Sequence, residues 1–488
     1  MNKSFVLLSA IEFTDEILNL IPKQLIEKYS VFPIEKRENV LIIATEKPED
    51  LDMRDFLEQE LSIRVEFVKS DLEDIKNAIY RYFGQTITFK SIIEKIDPET
   101  SIQIGTKGVK SVTRLALTEQ PSVVELFDFL IQQSILKQAS DIHIAPTEKS
   151  LLVRIRIDGV LHLLQELPKD FHQSLISAIK VEARMDISES RVPQDGEIEV
   201  EWFEKRYDLR VASISTIYGE KITIRILTKE TISLGLDTLG FSETTLEKIQ
   251  KVIHYPSGLV LIAGPTGSGK TTTLFSVLNE LKDISKNIVT IEDPVEYRLP
   301  LVNQIEINEK AGLDFPTLCR SLLRQDSDVI LLGEIRDSES AHLAVQSALV
   351  GTLLLSTIHS DNTINVVSRL LNMGVDRLWL GSVLAGIIAQ RLVRKICSHC
   401  KVPDQPRPEL LELIGLDSSS SFLKGEGCKV CLGTGYLGRI CISEIIVVTS
   451  KLKDAIYDGK SPSELLLIAK ESGFQPIVED AKERLQLV

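Results

Sequence analysis

The stretch Leu259–Thr271, LVLIAGPTGSGKT, decides the fold of the C-terminal part of the chain. Its apolar start predicts a buried strand, and TTTLFSVLNEL, beginning at Thr271, predicts a helix. Glycines between a strand and a helix let successive backbone N–H groups point inward around a phosphate, and the helix N-terminus favours the bound anion. Lys270 offers a charge to the β- and γ-phosphates, and Thr271 offers a hydroxyl to Mg²⁺. The sequence therefore predicts a nucleoside triphosphate site formed by Gly264, Pro265, Thr266, Gly267, Ser268, Gly269, Lys270, Thr271 and Thr272.

Two further apolar runs end in carboxylates. VILLGE ends at Glu334, and IVTIEDP contains Glu292 and Asp293. In a parallel sheet both runs end at the edge where ligands bind. One carboxylate can hold Mg²⁺, while another orients or deprotonates the attacking water. Either carboxylate alone is more often a solvated strand end, but beside a phosphate loop we interpret both as functional, and the sequence leaves open which one activates water.

The remaining pattern predicts an α/β protein of several domains. Beyond Leu234, strands and helices alternate as a parallel sheet with crossover helices requires. We predict an N-terminal α/β domain at 1–90, a linker at 91–120, a second α/β domain at 121–230 and a P-loop ATPase domain at 231–488, with an insertion at 395–435. The first domain contains no catalytic constellation, so we expect it to serve for docking, or more simply as a packing or spacer domain.

Four of the six cysteines form two CxxC pairs. They are Cys397 with Cys400 and Cys428 with Cys431, and 27 residues separate the pairs. Four thiolates in two close pairs can complete a tetrahedral Zn²⁺ site without an open position, which is a structural site. A redox CxxC is the competing interpretation, but it normally occurs once. We predict zinc at this insertion, and we expect Cys319 and Cys441 to be buried apolar residues.

Paired CxxC motifs also occur in nucleic-acid ribbons. Arg391, Arg394, Lys395 and Lys401 cluster near the first pair. No aromatic platform is interleaved with these cations, and the formal net charge of the chain is −14. An acidic protein without stacking aromatics does not coat nucleic acid through bulk charge. Nucleic acid is therefore an unlikely partner, and a solvated basic face or an acidic partner explains the cluster more simply.

Length and composition restrict the class of protein further. At 488 residues the chain is about three times a typical domain of ~150 residues. Six cysteines are too few for a secreted disulfide scaffold. Acidic residues interrupt the apolar N-terminal run before any cleavage-like site, and the longest uncharged stretch, 340–360, is too polar to span a membrane. We expect an intracellular protein without a transmembrane segment.

Four segments together resemble the ATPases of type II secretion and type IV pilus assembly. They read GPTGSGKTTTL, IEDPVEY, LRQDSDVILLGEIRD and STIHSDN, and the resemblance extends over nearly all of 121–488. It implies a RecA-like ATPase domain that binds ATP and Mg²⁺. It places Glu292 and Asp293 in the aspartate box. It also places Glu334 in the Walker B position as a magnesium ligand with Thr271, and His359 in a histidine box near the γ-phosphate.

The resemblance also assigns two arginines and the cysteines. Arg210 in DLRVAS and Arg225 in TIRIL correspond to arginines that reach the nucleotide from the second domain, although spacing alone would make them exposed strand residues. Assembly and secretion ATPases often carry the tetracysteine insertion. The chain departs from the family pattern at Glu197, where a basic residue is common. It also departs in the histidine box, which reads HSDN at 359–362 where the family usually has HTND.

The family implies a particular machine. It predicts a homohexamer at the cytoplasmic face of the inner membrane that drives pseudopilus assembly for type II secretion. The N-terminal domain would bind the cytoplasmic portion of an inner-membrane secretion protein, and the hexamer would act on an inner-membrane platform protein. A type IV pilus assembly ATPase is the nearest alternative, and the lack of RLGxxL-type repeats in the N-terminal region favours type II secretion. A DNA-uptake motor and a non-hydrolysing, nucleotide-gated scaffold are alternatives of another class.

Overall fold

A computed structural model describes residues 13–83, 122–202, 205–228, 235–416, 422–428 and 430–486, with isolated positions outside these ranges. The chain divides into two compact units. One comprises Met1–Thr228 with the short segment Cys428–Gly433, and the other comprises the remainder from Lys229. The predicted linker 91–120 and the predicted boundary at 230/231 lie mostly outside the described residues, so the domain limits remain predictions.

The N-terminal part of the first unit is a three-stranded sheet with helices. Its elements are α1 (Asp15–Leu18), α2 (Lys23–Tyr29), β1 (Phe32–Arg37), β2 (Val40–Thr45), α3 (Leu51–Leu61), β3 (Arg64–Lys69) and α4 (Leu72–Phe83). β2 lies in the centre, antiparallel to β1 and parallel to β3. The apolar residues 41–44 are buried in β2, because this strand occupies the middle of the sheet.

The rest of the first unit is a second sheet with its own core. It contains β4 (Lys110–Ser111), α5 (Val123–Leu136), β5 (Asp141–Pro146), β6 (Ser150–Ile157), β7 (Val160–Pro168), α6 (Phe171–Glu182), β8 (Gln194–Trp202), β9 (Lys205–Thr216) and β10 (Gly219–Thr228). The strand order is β4-β8-β9-β10-β5-β6-β7. Residues alternate between buried and exposed along β5, β6 and β9, so one face packs on α5 and α6 while the other carries polar side chains.

The second unit is built on a seven-stranded sheet in the order β13-β12-β14-β15-β11-β16-β19. Its strands are β11 (Gly258–Ala263), β12 (Ile288–Glu292), β13 (Asn303–Glu306), β14 (Val329–Ile335), β15 (Leu353–Ile358), β16 (Leu384–Ile396) and β19 (Tyr436–Val447). All neighbouring pairs are parallel except β16 with β19. This is the predicted parallel-sheet α/β domain.

Helices cover both faces of this sheet. The helices of the second unit are α7 (Glu243–Ile253), α8 (Lys270–Leu281), α9 (Phe315–Leu322), α10 (Ser338–Leu349), α11 (Thr363–Asn372), α12 (Arg377–Val383), α13 (Pro408–Ile414), α14 (Ser450–Tyr457), α15 (Pro462–Glu471) and α16 (Ile477–Gln486), of which α13 lies in the cysteine insertion. Along β11, Leu259 and Leu261 enter one apolar core while Val260 and Ile262 enter the other. Burial on both faces explains why the strand is continuously apolar.

β16 and β19 form an antiparallel ribbon that carries the cysteine insertion. Between these strands the chain forms a hairpin of β17 (Lys401–Asp404) and β18 (Phe422–Gly425). Within the described ranges, no helix has the length and apolar character needed to cross a bilayer.

Candidate nucleotide site and cysteine cluster

The phosphate loop connects β11 to α8, as the sequence predicts. Three of its glycines have positive φ: Gly264 at 154°, Gly267 at 77° and Gly269 at 87°. Glycine adopts such angles without the penalty that a Cβ atom brings, which explains the spacing of the motif. Gly269 is the N-cap of α8, so the N–H groups at the start of α8 face the loop.

A glutamine from β16 holds this loop in place. The side chain of Gln390 is almost completely buried, and its Nε2 donates to the carbonyl oxygen of Ser268 at 2.7 Å. The Thr273 hydroxyl donates to Gln390 Oε1 at 3.0 Å, which fixes the first turn of α8 to the same side chain. Sequence reasoning missed Gln390, although a glutamine inside the apolar run LAGIIAQ was a signal, because a buried amide needs partners.

Lys270 lies at the start of α8 and folds over the loop. Its Nζ donates to the carbonyl oxygens of Gly264 at 2.8 Å and Pro265 at 3.0 Å. Burial lowers the pKa of Lys270, while the negative charge of Glu334 opposes that shift and Arg391 adds to it. Thr271 and Thr272 are half-buried in the first turn of α8. The cation thus lies at the loop and the two threonines lie in the first turn of α8, and their roles toward a triphosphate stay predictions.

Glu334 and His359 meet at the carboxyl edge of the sheet. Glu334 ends the apolar run of β14, His359 follows β15, and His359 Nε2 lies 3.0 Å from Glu334 Oε1. Arg336 Nε donates to the other carboxylate oxygen at 3.1 Å, a contact the sequence did not predict. The Thr357 hydroxyl donates to the carbonyl of Gly333 at 2.8 Å and thereby fixes the two strand ends against each other.

Glu292 is more deeply buried than Glu334. Its Oε1 accepts from the Thr290 hydroxyl at 2.6 Å and from Gln304 Nε2 at 3.0 Å. Burial raises the pKa of the Glu292 carboxyl, although both hydrogen bonds oppose that shift. The neighbouring Asp293 is exposed and lies 3.6 Å from an Arg336 nitrogen. In the sheet, β14 is two strands away from β11, the strand before the phosphate loop, and β12 is three strands away. Glu334 on β14 is therefore closer than Glu292 to the strand that leads to Lys270.

Arg210 and Arg225 occupy the polar face of the sheet in the first unit. They are cross-strand partners on β9 and β10, and Arg225 Nε lies 3.3 Å from Asp141 Oδ1. Both line a cavity of about 560 Å³ together with Asp141, Arg184, Asp195 and Glu197. This cavity contains both signs of charge, and the role of the two arginines toward nucleotide remains a prediction.

The four predicted metal ligands come together in the insertion. The sulfur atoms of Cys397, Cys400, Cys428 and Cys431 all lie within 4.8 Å of one another, and the last two are 3.7 Å apart. Tetrahedral Zn–S bonds of ~2.3 Å place sulfurs about 3.8 Å apart, so the donor set fits zinc. None of the six cysteines forms a disulfide.

The two remaining cysteines are buried as predicted. Cys319 and Cys441 are 1% and 3% exposed. Burial raises the pKa of each thiol to about 12. Reactive thiolates require the opposite shift, so both behave as small apolar core residues.

The strand–loop–helix, its lysine and the carboxylates at the adjacent strand ends define a P-loop nucleotide-binding domain of the parallel-sheet type. The family model described as "Type II/IV secretion system protein" matches residues 116–487, and the MshEN domain matches residues 1–88. The chain therefore belongs to the family of type II/IV secretion system proteins. The resemblance inferred from the sequence motifs is confirmed.

Relatives with both kinds of name are similar to this chain. A type IV pilus assembly ATPase PilB of Thermus thermophilus is 37% identical over 470 residues, covering 94% of this chain and 52% of the relative. The chain thus spans about half the length of that relative. A type II secretion system protein E of Xanthomonas campestris pv. campestris is 39% identical over 418 residues, which is 85% of this chain and 72% of the relative.

A solved structure supports the fold. The X-ray structure of the ATPase DotB of Legionella pneumophila superposes with a TM-score of 0.56 at 21% identity, covering 77% of this chain and 95% of that one. At this level of identity the similarity shows the fold alone.

Proposed function

We propose that this protein hydrolyses ATP to drive pseudopilus assembly and protein export in a type II secretion system. The observation that carries the proposal is the cluster at the carboxyl edge of the sheet. Lys270 lies in the field of Glu334, and Glu334 contacts His359 at 3.0 Å. A cation that can bind phosphate and a carboxylate that can hold Mg²⁺ are groups that phosphoryl transfer to water uses, and His359 lies beside that carboxylate.

Each residue has a distinct task in the proposed reaction. Lys270 and the backbone N–H groups of 266–269 bind the β- and γ-phosphates and offset the charge that develops on them. The Thr271 hydroxyl and Glu334 hold Mg²⁺, which neutralises phosphate charge when it is bound. His359 contacts the γ-phosphate region.

We assign to Glu292 the role of the general base that activates the attacking water. Its burial raises the pKa of the carboxyl toward the operating pH, which favours proton transfer by a general base. Arg210 and Arg225 supply further positive charge to the transferring group.

We further propose the assembly in which this reaction does work. Six copies form a ring at the cytoplasmic face of the inner membrane, and nucleotide opens and closes the domains around the site. Residues 1–90 bind the cytoplasmic domain of an inner-membrane secretion protein, and the ring acts on an inner-membrane platform protein. The gathering of four cysteine sulfurs within 4.8 Å of one another supports a structural Zn²⁺ ion in the insertion.

Type IV pilus assembly is the second candidate, because the PilB relative of T. thermophilus aligns over 94% of the chain. Recovery of membrane-bound partners with the tagged full chain distinguishes the two machines. Recovery of pilus components alone would contradict the type II assignment.

A DNA-uptake motor would show DNA-stimulated turnover and salt-sensitive DNA binding.

A further inference from the structure

A buried carboxylate outside the nucleotide site, Glu444 on β19, connects two helices to the sheet. Its side chain is 5% exposed. Oε1 accepts from the Thr363 backbone N–H at 2.8 Å and from the Thr363 hydroxyl at 2.9 Å, while Oε2 accepts from the Ile477 N–H at 2.9 Å. Thr363 and Ile477 are the first residues of α11 and α16, where backbone N–H groups have no partner within the helix. One carboxylate thus fixes the start of both helices.

The start of α11 is also the end of the loop that carries His359. This loop, 359–362, connects β15 to α11, and Asn362 caps the helix by accepting from the Asn365 N–H. From β16, Arg391 donates to the carbonyl oxygen of Asp361 at 2.8 Å. The loop is therefore held at its far end by two neighbouring strands, β16 through Arg391 and β19 through Glu444. At its near end, His359 contacts Glu334.

We propose that Glu444 is a positioning residue for His359, acting through Thr363. Ala389 is the cross-strand partner of Glu444, and the next residue, Gln390, holds the phosphate loop. The β16–β19 ribbon thus fixes the phosphate loop and the His359 loop from one side and sets the distance between them. This inference rests on the proposed ATPase function, because it concerns the geometry of that site.

The hydroxyl of Thr363 gives a conservative way to test the inference. Thr363→Val keeps the backbone N–H and nearly the same volume but removes the hydroxyl donor, and Thr363→Ser keeps the donor while losing a methyl group. A hydrogen bond to a charged group contributes enough that its loss reduces an equilibrium or rate about tenfold. We expect kcat for Mg-ATP to fall about tenfold in Thr363→Val and less in Thr363→Ser, with the Kd for Mg-ADP little changed in both.

Amide hydrogen exchange supplies a readout independent of turnover. In the peptide spanning 359–365, we expect faster exchange in Thr363→Val than in Thr363→Ser, and Glu444→Gln should increase exchange in the same peptide. If the contact between Glu444 and Thr363 only stabilised the fold, the two Thr363 variants would have equal kcat values and an altered unfolding temperature. That result would overturn the proposal. Equal exchange in the two variants would overturn it as well. If the wild-type chain shows no turnover even in the presence of the membrane partner, the proposed function fails, and the exchange comparison still decides the role of Glu444.

Discussion

Glu292 shows at the scale of one residue how the fold changes a side chain's chemistry. The strand that presents it is fully buried, and its carboxyl accepts hydrogen bonds from neutral groups, among them the Thr290 hydroxyl and the Gln304 amide. The neutral acid is therefore favoured in the folded state relative to the unfolded chain, so stability falls as pH rises through the titration of Glu292. The penalty is absent below the unfolded-state pKa and complete above the folded-state pKa.

This sign gives a prediction for Glu292→Gln, which removes the charge and keeps the Oε1 acceptor. We expect the unfolding temperature of the variant, relative to wild type, to rise as the pH increases from about 4 to 7. Thermal unfolding at several pH values measures the difference. A pH-independent difference, or one that falls with pH, would contradict the burial argument.

Glu334 gives the second prediction at this scale. Glu334→Gln removes the charge of the proposed magnesium ligand and weakens the contacts with His359 and Arg336, so we expect the turnover of Mg-ATP to fall by at least ~100-fold. Metal-free nucleotide should still bind, because the phosphate loop is unchanged. Normal secretion in a Glu334→Gln strain whose protein shows no turnover would instead favour a non-hydrolysing, nucleotide-gated scaffold, and normal turnover would contradict the role proposed for Glu334.

The phosphate loop is the element in which backbone geometry matters most. A Cβ at Gly264 would lie 2.7 Å from the Gln390 carbonyl oxygen, whereas a Cβ at Gly267 would meet no atom within 4 Å. Both glycines have positive φ. The two positions therefore separate steric fit from backbone strain.

We expect Gly264→Ala to lower the unfolding temperature more than Gly267→Ala. The second variant bears only the left-handed backbone penalty of about 1–2 kcal/mol, while the first adds a clash with the β16 backbone. Differential scanning calorimetry without nucleotide compares them directly. An equal fall in unfolding temperature for the two variants would show that the approach of the Gln390 carbonyl oxygen to Gly264 does not constrain the loop.

The cysteine insertion is the second element that yields a prediction. Purified protein should contain one zinc ion per chain by elemental analysis, and Cys431→Ser should lose it. Cys441→Ser is the matched control, since Cys441 is a buried thiol outside the cluster. Metal-free protein in a clean preparation would contradict the zinc assignment.

The elements also show what the sequence could predict. The phosphate loop and the carboxylates at strand ends could be predicted from local patterns, because each lies within one short, continuous segment of the sequence. Gln390 and Glu444 do not, since their partners lie 122 and 81 residues away along the chain. Only the strand order, with β16 between β11 and β19, brings them together. No periodicity in the sequence encodes that order.

For the molecule as a whole, the proposed mechanism requires that several copies of this chain act together. The proposed ring joins the nucleotide site to arginines on another α/β domain, and each motion of the ring would require ATP hydrolysis. Such a machine has a concentration dependence that an isolated nucleotide-binding domain lacks.

The most direct test is phosphate release from Mg-ATP as a function of protein concentration, with Lys270→Ala as the control. We predict turnover per chain that rises with protein concentration and disappears in Lys270→Ala. Absence of turnover at every concentration in the presence of the membrane partner, or turnover that persists in Lys270→Ala, would contradict it.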